Sequence, residues 1–159
     1  MSSVIQDSDA LTRPFIESTR SVFSMMLGWQ VERGETCNAS AFQSKYDVSG
    51  IIGFSGALRG TVVISLDQAV AFAAAESFLG SRPESINAEI VDLVGELANM
   101  IGGNAKERMG IAGINLGLPT VISGKGHYVS FDPGARVEIL PFETAWGPLT
   151  VEIGIRTPR

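Results

Sequence analysis

The chain is 159 residues long, a length that suits one domain with a substantial core. Its residues are 45% apolar and 18% charged, and the apolar ones are spread along the chain, so nothing approaches the roughly 18 consecutive apolar residues of a membrane span. A net charge of -5 with scattered Arg residues argues against sequence-independent binding of nucleic acid, which draws on clustered Lys and Arg.

Met1 to Asp9 has neither the basic nor the apolar region of a signal peptide. It is expected to be a flexible N-terminus ahead of a single domain over residues 10–157, and a cytoplasmic location is the default. Leu11, Phe15, Ile16, Val22, Phe23, Met26 and Leu27 recur near helical spacing and predict a first helix over residues 9–27. Asp9 is its candidate N-cap, Pro14 moves the expected start toward Thr12, and Gly28 ends it. Residues 29–42 are read as strand. Within them Cys37 is the sole cysteine, so it cannot form an internal disulfide and reads as an ordinary buried or half-buried thiol.

Residues 46–54 and 58–66 are two β-rich runs joined by Ser55-Gly56-Ala57, which predicts a hairpin. Asp67 is placed to cap an Ala-rich second helix over residues 68–79, ended by Gly80, and a third helix is expected over about 87–109. Strands are then predicted over 120–123, 127–131, 136–142 and 149–156, separated by Gly-Lys-Gly, Asp-Pro-Gly and Trp-Gly-Pro turns. His127, the sole histidine, enters one of them from a turn and reads as a loop or sheet-surface residue. One Cys and one His leave little for Cys-His or Ser-His-Asp catalysis or for a structural zinc site. The element order gives an α+β fold, with long helices laid against an antiparallel sheet.

At about 100° per residue, Asp92, Glu96, Asn99, Gly103 and Lys106 fall within roughly 40° of one line along the third helix. Ile90, Val94, Leu97, Ile101 and Ala105 take the opposite side, which must pack on the sheet. Such a polar stripe is ordinarily a solvated face. Here Asn99 and Gly103 stand mid-helix against their propensity, with Gly95 and Gly102 beside them, so something other than helix stability is served. Small residues around Glu96 and Asn99 are expected to leave the helix backbone accessible to a partner's surface. Asn104 lies toward the buried side and is expected to hydrogen-bond neighbouring backbone.

The run Asp92-Leu93-Val94-Gly95-Glu96-Leu97-Ala98-Asn99-Met100-Ile101-Gly102-Gly103-Asn104-Ala105-Lys106 resembles the E-x-x-N helix of the CheC, CheX and FliY chemotaxis phosphatases. The E-x-x-N core is weak alone, and its extension through Gly-Asn-Ala-Lys is far more specific. Pro14 to Gly28, the hairpin from Gly53 to Ser65, and Leu118 to Gly124 also look like this family, so the resemblance spans roughly residues 10–155. CheC-type members carry a second E-x-x-N on the first helix. Here that stretch is Glu17-Ser18-Thr19-Arg20, with Arg20 where Asn is required, so the CheX-like branch fits better and one active helix per chain is expected.

The resemblance implies a CheX/CheC-like fold and removal of the phosphoryl group from the aspartyl phosphate of a CheY-like response regulator. Glu96 and Asn99 would be the catalytic pair: Asn99 orients the attacking water, and Glu96 docks on the regulator's active-site Lys. Asp92 is either a secondary partner contact or a helix-dipole charge, Gly103 belongs to the partner-binding face, and Lys106 reads as a solvated end-of-helix charge. No cofactor or metal is expected in this chain, with Mg²⁺ belonging to the partner regulator. The resemblance further implies a homodimer made by joining sheets across subunits. A non-catalytic CheX-like adaptor and a flagellar-switch component are the alternative readings.

Overall fold

A computed structural model describes residues 8–34, 37–38, 46–127 and 129–156. Among them the chain forms α1 (Ser8–Leu27), β1 (Glu32–Arg33), β2 (Cys37–Asn38), β3 (Tyr46–Gly56), β4 (Arg59–Leu66), α2 (Gln68–Leu79), α3 (Ala88–Met109), β5 (Ile114–Leu116), β6 (Thr120–His127), β7 (Arg136–Thr144) and β8 (Gly147–Arg156). The strands make one antiparallel sheet in the order β1-β7-β8-β4-β3-β5, with β2 also pairing β7 and β6 also pairing β3. This is the expected α+β arrangement.

The sheet's helix-facing side follows from the two-residue period of its strands. Antiparallel register sets Val48, Leu66, Leu149 and Phe142 in one row and Ile52, Val62 and Ile153 in another, all buried. Phe15, Phe23, Ile90, Leu97 and Ile101 from α1 and α3 fill the space above them, and the Phe15 ring meets Phe54 edge-on at 5.9 Å. Burying each such side chain contributes about 1.5–3 kcal/mol, so this layer holds α3 against the sheet. Trp29 is clamped between Phe23 and Trp146, with centroids at 6.1 and 4.2 Å, and its indole N–H donates to Ser77 Oγ at 3.0 Å.

Several expectations change. Helix α1 already includes Ser8 and Asp9, so Asp9 is not its cap; the rest of the expected flexible N-terminus, 1–7, lies outside the described residues. Pro14 sits inside α1, where its lost backbone donor and ring clash cost on the order of 3 kcal/mol. Burial of Leu11, Phe15 and Ile16 around it offsets that cost. The strand expected over 29–42 is only the short β1 and β2 among the described residues; 35–36 and 39–42 lie outside them, as do the Cys37 side chain and Thr157, at the expected domain end.

The Gly-Lys-Gly segment is not a turn between two strands but part of β6. The β3–β6 register jumps from Val48↔Ser123 to Tyr46↔His127, so a bulge absorbs Gly124 to Gly126, and Gly126 takes φ 71°. His127 closes the bulge: its Nδ1 is 2.7 Å from Gly124 O and its Nε2 2.6 Å from Ser49 Oγ. The strand expected over 127–131 is therefore absent beyond His127 among the described residues; Phe131 instead seats where a Cβ on Gly154 would stand. Beside the bulge, burial, with Asp67, Glu143 and Glu152 nearby, pushes the Tyr46 hydroxyl up to about 12, so it is neutral at ordinary pH.

Candidate functional site

Helix α3 is well terminated. Asn87 caps it, its Oδ1 accepting the Ile90 N–H at 3.0 Å; Glu89 lies in the first turn and Lys106 and Arg108 in the last; Gly110 closes it at φ 63°. These features each match the polarity of the helix ends. Arg108 also donates to Glu17 of α1 at 3.2 Å, an exposed pair that ties the two helices only weakly.

What rotates the stripe outward is close contact on the opposite face. A Cβ on Gly50 would lie 2.9 Å from both Val94 O and the Ala98 Cβ, so the absent side chain lets α3 settle directly on β3. A Cβ on Gly102 would lie 2.9 Å from Ile52 Cγ2, and one on Gly95 would lie 3.3 Å from Val121. Gly95 and Gly102 are therefore buried packing glycines that bring helix and sheet together. The expectation that they leave the helix backbone open to a partner is corrected. Gly103 differs, being half-buried with only Leu116 within reach of an added Cβ, at 3.9 Å.

With α3 held this way, Ile90, Val94, Leu97, Ile101 and Ala105 are buried, while Asp92 and Glu96 are exposed and Asn99, Gly103 and Lys106 half-buried. Glu96 and Asn99 stand about 4.5 Å apart along the helix axis, on neighbouring turns. The Asn99 amide makes no hydrogen bond among the described residues, whereas Asn104 Nδ2 donates to Met100 O at 3.1 Å, as expected. Asn99 is thus a neutral donor and acceptor left uncommitted beside a carboxylate. Its geometry suits holding a small polar molecule for reaction, and no Ser, Cys or His accompanies it on the stripe. Among the described residues no group of three or more His, Cys, Asp or Glu converges as metal ligands do.

Two apolar shoulders flank the stripe, and sequence reasoning assigned neither of them a role. On the Gly95 and Gly102 side runs the segment from Leu116 to Val121, with Leu118 at its crest 91% exposed. On the other side, Leu93 of α3 meets Met26, Phe78 and Leu79 from the ends of α1 and α2. Both depend on segments distant in sequence, so no local pattern marks them.

The family model described as chemotaxis phosphatase CheX matches residues 48–143, which include the whole of α3. No curated protein matches the chain significantly. Among solved structures, the chemotaxis protein CheX of Vibrio vulnificus is 32% identical over 92% of this chain and 99% of that one, with a TM-score of 0.87. CheX of Desulfovibrio desulfuricans is also 32% identical, over 92% and 99% of the two chains, with a TM-score of 0.84. A CheX–CheY–BeF3–Mg²⁺ complex from Borrelia burgdorferi shares the fold at 23% identity, covering 92% of this chain and 97% of that one, with a TM-score of 0.79. Matched through its central hairpin and its stripe-bearing helix, and over nine-tenths of its length to proteins of one kind, the chain belongs to the CheX family of chemotaxis phosphatases.

Proposed function

We propose that this protein hydrolyses the aspartyl phosphate of a CheY-like response regulator, with α3 as the element that enters the regulator's active site. The observation that carries the reading is the uncommitted Asn99 amide one turn from the exposed Glu96. The family's description as a phosphatase and the Borrelia burgdorferi complex with CheY support the choice of substrate.

An aspartyl phosphate is a mixed anhydride, already reactive, and the regulator's own Mg²⁺ and Lys neutralise its phosphoryl oxygens. What remains is to place a water in line. The Asn99 carbonyl oxygen accepts a hydrogen bond from the water and its NH2 donates to the phosphoryl group, so the water oxygen faces phosphorus much as a positioning Gln does in GTP hydrolysis. The oxygen bonds to phosphorus, the P–O bond to the regulator's Asp breaks, the carboxylate leaves with the electron pair, and the water proton passes to phosphate or solvent. Glu96 meets the regulator's Lys and sets the register, Asp92 adds a charge at the interface edge, and Gly103 keeps the helix surface low. The chain itself supplies positioning and no metal, so its contribution is orientation. On this reading it works in the cytoplasm, and none of the described helices is long and apolar enough to cross a membrane. It forms a homodimer through its sheet, for which β6, with no strand on its outer side among the described residues, offers an edge.

A time course of phosphoryl-regulator decay with and without the protein tests the reading. Asn99→Ala should fold, bind the regulator and lose turnover by on the order of 10²-fold or more. Undiminished turnover in that variant overturns the role of Asn99, and binding without any acceleration by the wild type leaves an adaptor.

A further inference from the structure

The shoulder beside Glu96 is an open groove of about 300 Å³ lined by Met26, Phe78, Leu79 and Leu93 and edged by Glu89, Asp92 and Glu96. Phe78 is 52% and Leu79 43% exposed, so about half of each large apolar residue is left uncovered. The three carboxylates join no ion pair among the described residues. Spaced at i, i+3 and i+7, they extend over about 10 Å of α3. An apolar slot with an unneutralised acidic rim is complementary to one kind of surface, an apolar side chain standing among Lys or Arg residues. The groove is at the small end of the range for ligand sites and wide open, which suits one protruding side chain better than an enclosed small molecule.

We propose that this groove is the specificity pocket of the docking surface: it takes one apolar side chain, set among cations, from the face of the response regulator that carries the phosphorylated Asp. The inference rests on the phosphatase reading, because Glu96 belongs at once to the groove's rim and to the stripe. The regulator's Lys that meets Glu96 is then one cation of the set, and Glu89 and Asp92 receive others. Asn99 lies on the opposite side of the stripe's midline from Leu93, so the groove governs binding and selection of the regulator while Asn99 governs the chemical step.

The test uses the response regulators of the same organism. Each is activated with beryllofluoride and Mg²⁺ as a phosphoryl mimic for affinity measurements, and phosphorylated with acetyl phosphate for kinetics. Phe78→Asp and Leu79→Asp alter exposed positions and should fold, as circular dichroism and thermal melting would verify. Each should weaken binding about tenfold or more, with the loss falling on KM rather than kcat, and Phe78→Leu should behave nearly as wild type. If the wild type hydrolyses a regulator and both Asp variants keep its KM, the groove is overturned and the phosphatase reading stands. If the wild type binds a regulator without hastening its decay, and Phe78→Asp weakens that binding, the groove stands and hydrolysis falls. A wild type that binds no activated regulator overturns the groove.

Discussion

Glu96 and Asn99 share a stripe but have different exposure, and their substitution should show it. Glu96 is exposed at the rim, where, on the proposed docking, reversing its charge sets a cation against the regulator's Lys. Glu96→Lys should therefore raise KM by about tenfold or more and leave the saturated rate less affected, whereas Glu96→Gln should fall between it and wild type. Steady-state kinetics over a range of phosphoryl-regulator concentrations would separate these. A variant whose KM is unchanged removes Glu96 from docking. Their place on one stripe was legible in the sequence because a stripe needs only the 100° period and the identity of five residues along one helix, whereas their roles rest on the resemblance of the E-x-x-N run. Their exposure was legible for the same reason: once Val94, Leu97 and Ile101 claim the core, the opposite side must face outward. The glycines beside them were not. Whether Gly95 or Gly102 opens a surface or admits a neighbour depends on Val121 and Ile52, which approach from strands elsewhere in the chain.

At the scale of the element, α3 is positioned by three features that act together: its caps, its apolar face, and the glycines that let it touch the sheet. The glycines give a paired prediction. Gly50→Ala sets a Cβ 2.9 Å from backbone Val94 O as well as from Ala98, and a carbonyl oxygen inside a helix cannot turn aside. That substitution should cost about 1–3 kcal/mol by overpacking and tilt α3 on β3. Gly103→Ala meets only Leu116 at 3.9 Å, so the gain in helix propensity should stabilise the fold by up to about 1 kcal/mol. Urea denaturation of both variants checks the signs. If Gly103→Ala is more stable yet docks less tightly, Gly103 is small for the partner's sake. Elements α2 and β4 matched expectation closely because their ends are chemically marked, by Asp67 accepting Val70 N–H at 2.8 Å and by Gly80 at φ 86°. β6 did not, because Gly-Lys-Gly is the same string whether the chain turns or bulges, and only pairing with β3 decides. The short β5 escaped notice for a related reason, three residues being too few to show a period.

For the whole molecule, the proposed dimer separates assembly from catalysis. The stripe, both its shoulders and the packing that orients it all come from one chain, so on the proposed reading each subunit would hold a complete site. The edge strand β6 lies against β3, and its exposed face carries Ile122 at 40% exposure in a run that is otherwise mostly polar or glycine. An apolar residue on an unpaired edge favours strand addition, and a charged one opposes it. If two copies join there, Ile122→Lys should shift the mass measured by light scattering from twice 16.9 kDa toward 16.9 kDa. Because Ile122 belongs to neither the stripe nor the groove, the monomeric variant should retain its rate per chain. A dimer that survives this change joins along another edge. Loss of rate on becoming monomeric would mean that the second copy contributes to docking, and that the regulator contacts more of the assembly than the single helix α3 and its shoulders.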